Sequence, residues 1–256
     1  MVGHDRRTVP TYAGGVLECL ATPPEDVRGV LDRLDRLQEL TESGPRGADD
    51  GLACFNHLYR QVTREVLDRL DGQELFREPE FVALLDVEFA RRYFAVVRAD
   101  ASGLPVPRSW SVLLERRGDP GTGPMELAVA GVNAHVGYDL APAVVQTCTL
   151  LGRGALGPTE LADHHALTAI FARHMVALRA DFETWLGRDL DPAVLDKIMD
   201  GADTLGVVLA GDAAWRRAEH LWSLRTRPAA YERECDCIDW GAAMVGRAVL
   251  QVGSTP

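Results

Sequence analysis

Apolar residues recur every three or four positions along most of the chain, which is the spacing of one face of an α-helix. Thr22 suits a helix N-cap, and the two prolines after it suit a first turn. Valines and leucines then form one stripe from Val27 to Leu40. Further stripes predict helices at 52–70, after Pro79, and at 107–117, 125–151, 159–186, 192–204, 207–225 and 238–251.

This pattern predicts an all-α fold. Strand signals are scarce, and the only modest candidate lies at 11–17. The Gly-rich interruptions are as short as ordinary helix–helix connections. We therefore expect an N-terminal arm at residues 1–21 and one helical domain at residues 22–252, a single-domain multi-helix bundle around a central, kinked, buried helix.

The central helix is predicted at 125–145, where the sequence is apolar almost all round instead of on one face. Such a helix is covered by neighbours on every side. Its polar exceptions are Asn133, His135, Tyr138 and Asp139. His135 and Asp139 are four residues apart, so they share one face of the helix. A buried carboxylate has to be paired, hydrogen-bonded or coordinated.

Pro142 falls inside the same helix. A proline there removes one hydrogen bond and clashes with the carbonyl four residues before it, so we expect a kink beside Asp139. Two interpretations of the His135–Asp139 pair remain open. The pair either serves a site, as metal ligands or as a general acid and base, or forms a hydrogen bond that only fixes helix packing.

Other helices carry residues that could complete such a site. Asp86 lies beside the apolar face of the helix after Pro79 and is a candidate buried carboxylate. Arg92 follows on that helix, and its planar fork suits a carboxylate or phosphate, or a structural tie. His164 lies on the inward stripe of 159–186 and is either a core histidine or a fourth ligand. The possible metal set for Zn, Mn or Fe is His135, Asp139, Asp86 and His164.

A further stripe carries Trp215, Glu219 and Trp222. Between two indoles Glu219 would be desolvated and suited to general-acid work, or it pairs with a nearby arginine. We expect catalytic roles for His135, Asp139, Asp86 and Glu219, and His57 to be a rim residue. The candidates for substrate contact are Asn133, Tyr138, Arg92, Tyr93, Trp110 and Trp215. The candidates for internal ties or anion clamps are Arg92, Arg216 and Arg247, beside Asp86, Glu219 and Asp239.

Composition narrows the classes of protein. The chain has 27 basic and 38 acidic residues, a net charge of −11, which argues against a nucleic-acid partner. Hydrophobic residues make up 46%, so the whole chain is not disordered. We expect no signal peptide and no membrane span, and the five irregularly spaced cysteines favour the reducing cytoplasm. Leftover apolar faces on the first and last helices would permit a homodimer.

Four segments in order resemble a bacterial, largely actinobacterial, helical family catalogued only as a domain of unknown function. They lie at 55–63, 85–94, 107–110 and 130–140, and the resemblance implies coverage from Leu52 to Leu250. The segment with Asn133, His135 and Asp139 is its signature. The chain departs from that pattern at His57, where another residue is usual. It also departs around Thr168, where the family pattern has asparagine. The resemblance implies a fold but no activity.

The helical His-x-x-x-Asp pair followed by proline is also similar to the zinc-binding helix of the phospholipase C and P1-type nuclease group. Those proteins are all-α and bind metals with His and Asp from several helices. Their motif continues with a histidine just after the proline, where this chain has Val144 and Val145. This departure puts a full three-zinc site in doubt.

Three functions follow as hypotheses. The first is an enzyme, in bacterial secondary metabolism, that acts on a small, mostly apolar metabolite by metal-assisted hydrolysis or by metal-free isomerisation, cyclisation or dehydration. The second is a non-catalytic protein that binds a small molecule or an acyl chain. The third is an interaction protein whose buried polar residues serve packing alone.

Overall fold

The computed structural model describes residues 11–73, 75–190 and 204–252, and within these ranges it is all-α, with no strand. No helix in the described ranges combines the length and apolar character needed to cross a membrane. The helices are α1 (Tyr12–Cys19), α2 (Val27–Glu42), α3 (Gly51–Gly72), α4 (Pro79–Ala101), α5 (Arg108–Arg116), α6 (Pro124–Ala134), α7 (Leu140–Leu150), α8 (Pro158–Leu186), α9 (Thr204–Leu224) and α10 (Pro228–Val252).

The predicted helix starts are wrong in two places. Asp26 and not Thr22 caps α2, its side chain accepting a hydrogen bond from the Gly29 amide at 2.7 Å, and the two prolines precede the helix. The last helix also starts elsewhere. It begins at Pro228 instead of residue 238, because its first turns are polar and largely exposed and so show no apolar stripe. The helix predicted at 192–204 lies, apart from its last residue, outside the described residues.

The candidate strand at 11–17 is wrong, because this segment forms α1. Thr11 caps the helix, its side chain accepting a hydrogen bond from the Gly14 amide at 3.2 Å. Val16 is fully buried, and α1 packs against α2 and α4. A helix of eight residues gains its stability from such packing and not from propensity, so its local sequence carries little signal.

α6 and α7 form the central helix, which is buried as predicted. Residues 125–131 are all buried. On one side they meet the aromatic core of α3, α4 and α5; the α7 half packs against α4 and α9. Gly131 marks the closest approach, since a Cβ there would lie 2.6 Å from Cγ of Phe55.

The central helix, where a kink was expected beside Asp139, is interrupted there by a π-helical turn. The turn spans His135–Asp139. Pro142 has no N–H to donate to the carbonyl four residues before it, so the regular ladder is already broken here. Single π turns inside α-helices occur frequently at functional sites.

A buried arginine ties four helices together. Arg117, at the end of α5, donates to Asp50 Oδ2 at 2.9 Å, to Asp100 Oδ2 at 2.7 Å and to the Tyr12 hydroxyl at 2.9 Å. It is 6% exposed, so these bonds lie away from water. The internal ties predicted at Arg216 and Arg247 are wrong, because both residues are exposed.

Asp239 of α10 has a structural role of its own. Its carboxylate accepts hydrogen bonds from the backbone amides of Arg108 and Ser109, each at 2.9 Å. These are free amides of the first turn of α5, so Asp239 caps that helix from another part of the chain. The cap fixes the helix that carries Trp110.

Candidate functional site

A small, partly open cavity lies where α3, α4, α8 and α9 surround the π turn. Its volume is about 100 Å³. Most of its lining is apolar, with Leu58, Val62, Leu85, Phe89, Leu167 and Phe171 among the lining residues. Its polar lining residues are Tyr59, Asp86, His135, His164 and Thr168. The cavity is therefore an apolar chamber with a few polar groups, as ligand pockets usually are.

The predicted His135–Asp139 pair is present and buried. Nδ1 of His135 lies 3.0 Å from Oδ2 of Asp139, and each side chain is 2% exposed. The same oxygen accepts a hydrogen bond from Nε1 of Trp110 at 2.9 Å. Since Asp139 is the acceptor, Nδ1 of His135 carries the proton and Nε2 carries the lone pair.

Aromatic rings fix the orientation of the His135 imidazole. It stacks on Phe89 with a centroid distance of 3.5 Å and an interplanar angle of 5°, and Tyr59 lies edge-on at 4.9 Å. Burial lowers the pKa of His135, although Asp139 opposes that effect. His135 is therefore a neutral base at neutral pH. Its Nε2 atom is buried and has no hydrogen-bond partner among the described residues.

Asp86 is the second unusual group. It is 8% exposed, and its Oδ2 atom also has no partner in the described part of the chain. Burial raises the pKa of Asp86 from 3.8 to about 7. Burial raises the pKa of Tyr59, the charge of Asp86 adds to that rise, and a hydrogen bond with Thr63 opposes it. Two buried, unpaired polar atoms, Nε2 of His135 and Oδ2 of Asp86, thus belong to residues around one cavity.

His164 lines the cavity but is already engaged. Its Nε2 atom lies 2.9 Å from the Gly211 carbonyl, so this nitrogen is the donor. Burial lowers the pKa of His164 as well.

The predicted metal set is not assembled. Among the residues that the structure describes, no group of three or more His, Cys, Asp or Glu is arranged to hold a metal ion. Nε2 of His164 donates a hydrogen bond to the Gly211 carbonyl, and Nδ1 of His135 donates to Asp139. The side chains therefore do not fit the ligand set expected from the sequence.

None of the six candidates for substrate contact lines the cavity. Trp110 is fully buried and bound to Asp139, while the hydroxyl of Tyr93 donates to Asn56 Oδ1 at 3.3 Å. Asn133 ties α6 to α10 through the Ala242 carbonyl at 2.7 Å. The six candidates that lie outside the cavity lining are Asn133, Tyr138, Arg92, Tyr93, Trp110 and Trp215.

Glu219 is not desolvated between two indoles. It is exposed and accepts a hydrogen bond from Nε1 of Trp215 at 3.1 Å. The ring of Trp222 is covered instead by the guanidinium of Arg225, 4.2 Å from its centroid. The expected environment for a general acid at Glu219 is therefore absent.

Sequence reasoning misplaced His57 and missed Tyr59. His57 is 5% exposed rather than at a rim; its Nε2 lies 2.9 Å from Asp181 Oδ2, and its ring stacks on Trp185 at 4.1 Å. Tyr59 follows Phe55 by four residues, so it shares the inward face of α3. That spacing could have identified it as a cavity residue.

Comparison with known proteins gives a family without an activity. A family of unknown function (DUF5995) matches residues 27–252, a longer match than the segments from Leu52 to Leu250 implied. No curated protein and no solved structure matches the chain.

Proposed function

We propose that this chain, which belongs to the DUF5995 family, is a metal-free enzyme that transfers protons on a small, uncharged, mostly apolar substrate. His135 acts as the general base through Nε2, and Asp86 acts as the general acid. One observation carries the proposal. The buried atoms Nε2 of His135 and Oδ2 of Asp86 lack partners within the described ranges, and both residues line an apolar cavity.

Unpaired polar groups are expensive inside a fold. Each buried donor or acceptor without a partner costs about 1–3 kcal/mol. A substrate carrying one carbonyl or hydroxyl would satisfy these atoms, while its hydrocarbon part would fill the apolar walls. The arrangement therefore favours a ligand with a single polar end.

The two titrating groups have complementary states near neutral pH. Burial lowers the pKa of His135, so its imidazole is neutral, and burial raises the pKa of Asp86 to about 7, so a large fraction keeps its proton. A neutral base and a protonated acid lining one cavity suit proton transfer at a carbon next to a carbonyl. Nε2 takes the proton from carbon, the C–H electrons form the enol double bond, and Asp86 protonates the oxygen. Isomerisation and dehydration both use this step.

The cavity limits the substrate. Its volume of about 100 Å³ is of the same order as engineered cavities of about 150 Å³ that bind benzene. A single small ring or a short chain fits this space.

Small ketones in D₂O test the proposal directly. Wild-type protein is incubated with cyclopentanone or cyclohexanone, and exchange of the α-hydrogens is followed by ¹H NMR. We expect acceleration that His135→Gln and Asp86→Asn each reduce by about a hundredfold, the usual range for one acid or base. His165→Gln is the matched control, because His165 is exposed and neighbours His164 in sequence. Equal exchange in the His135 and control variants would exclude the proposal.

Trp110→Phe separates positioning from chemistry. This change keeps an aromatic ring but removes the hydrogen bond to Asp139. We expect the ¹⁵N shifts of His135 to show a mixture of tautomers, with partial loss of exchange activity. An unchanged tautomer would show that Trp110 has no positioning role.

Non-catalytic binding of a small molecule is the second candidate, favoured by the largely apolar lining of the cavity. It predicts that the same ketones shift the resonances of Asp86 and His135 without any exchange of hydrogen for deuterium. The exchange experiment therefore distinguishes the two candidates.

A further inference from the structure

A second groove, separate from the cavity, lies where α4, α7 and the α9–α10 connection meet. Its volume is about 650 Å³, and its lining includes Arg92, Gln146, Trp222, Arg225 and Tyr231. No lining residue is shared with the cavity at His135. We propose that this groove binds the oxyanion of a small molecule, a phosphate or carboxylate group, through Arg92 and Arg225.

Arg92 is half-buried and has an unused guanidinium. Within the described part of the chain, it makes no hydrogen bond and no ion pair. Other arginines at similar depth are paired, such as Arg60 with Asp35 at 3.3 Å and Arg179 with Glu183 at 2.8 Å. A guanidinium offers five N–H donors in a planar fork, so Arg92 holds a full set of donors for a ligand.

The charge of Arg92 acts on the groove. Burial raises the pKa of Tyr231 to about 12, and the positive charge of Arg92 opposes that rise. Tyr231 is a lining residue, so the guanidinium lies close enough to influence an anion bound beside it.

The guanidinium of Arg225, the second group proposed to bind the oxyanion, is fixed by contacts with Trp222. Its guanidinium lies 4.2 Å from the centre of the Trp222 ring, and Nη1 donates to the Trp222 carbonyl at 2.8 Å. Stacking and this hydrogen bond fix the plane of the fork and leave Nε and Nη2 available. A fixed fork loses less side-chain freedom when it binds a planar or tetrahedral oxyanion.

The other two charged residues that line the groove, Arg153 and Glu232, limit the charge of the ligand. Arg153 pairs with Glu78 and lies 3.4 Å from Glu160, so its charge is already neutralised. Glu232 is exposed and lies in the first turns of α10. It discourages ligands with further negative charges, so a single oxyanion is the favoured ligand.

Calorimetric titration tests the groove with phenyl phosphate, inorganic phosphate and benzoate. We expect saturable binding of at least one probe with a Kd of about 1 mM or tighter, weakened about tenfold or more by Arg92→Gln and by Arg225→Gln. Arg216→Gln is the matched control, because Arg216 lies on α9, is exposed like Arg225 and is outside the groove. The comparison of phenyl phosphate with benzoate identifies the oxyanion.

The outcomes decide the proposal. Absence of binding by all three probes overturns it, as does equal weakening by the Arg216 control, which would indicate general charge attraction. If Arg225→Gln loosens α9, Arg92→Gln alone decides, because Arg92 makes no hydrogen bond within the described structure. The ketone exchange activity is measured in parallel, so failure at this groove is distinguished from failure of the proposed enzyme site.

Discussion

Replacement of Asp86 by asparagine should remove a pH-dependent cost from the folded protein. The folded protein holds the Asp86 proton more tightly than the unfolded chain, because burial raises the pKa of the carboxyl group from 3.8 to about 7. In this interval the folded state binds more protons than the unfolded state. The free energy of unfolding due to Asp86 therefore falls as pH rises from about 4 to 7, and levels off above that.

The size of the effect follows from the two pKa values. They differ by about 3, and one pKa unit corresponds to about 1.36 kcal/mol. Asp86 should therefore cost the folded protein about 4 kcal/mol at alkaline pH relative to acid pH. Asparagine has nearly the same shape and no charge, so Asp86→Asn should be close to wild type near pH 4 and clearly more stable at pH 8.

Urea unfolding followed by circular dichroism at pH values from 4 to 8 measures this difference. Subtraction of wild type from variant cancels most of the contribution of the buried histidines His135 and His164, whose lowered pKa values act in the opposite direction. Asp68→Asn is the control, because Asp68 is exposed on α3 and its curve should parallel wild type. A constant difference between Asp86→Asn and wild type across this range would refute the assignment of Asp86 as a desolvated acid.

Two further predictions concern the frame around the site. Arg117→Met should destabilise the protein by about 3–5 kcal/mol in urea unfolding, because it leaves Asp50 charged and buried; adding Asp50→Asn should recover part of that loss, and no recovery would contradict the role of the ion pair. Gly131→Ala should cost about 1–3 kcal/mol, since its Cβ would lie 2.6 Å from Cγ of Phe55. Gly241→Ala is the matched control in an open position of α10, and it should stabilise the protein by about 0.5–1 kcal/mol in thermal unfolding.

Much of the fold could be predicted because helical periodicity is a local property. The all-round apolar character of 125–145 identified the buried central helix, and the spacing of His135 and Asp139 identified their contact. The short helix α1 was not predicted, because it depends on contacts that are distant in sequence. α1 is stabilised by burying Val16 against α2 and α4, and such tertiary contacts leave no periodic signal in eight residues.

The site was predicted only in part, because burial does not determine what a polar side chain faces. Trp110 and Tyr93 were expected at the substrate. Instead, Trp110 donates its hydrogen bond to Asp139, and Tyr93 donates to Asn56. Glu219 shares a helical stripe with Trp215 but is exposed to water. A stripe gives the direction of a side chain to within a wide sector, and whether it ends in a cavity, a core or solvent depends on helices distant in sequence.

The π turn has a consequence for how the central helix could be altered. One residue of an α-helix corresponds to about 100° of rotation. Removing one residue from His135–Asp139 would let the ladder close into an ordinary α-helix, but every side chain of α7 would then turn by about 100° relative to α6. The buried face of α7 would leave α4 and α9. The extra residue of the π turn thus rotates the buried face of α7 relative to that of α6. This rotation lets one continuous helix pack against two different hydrophobic clusters.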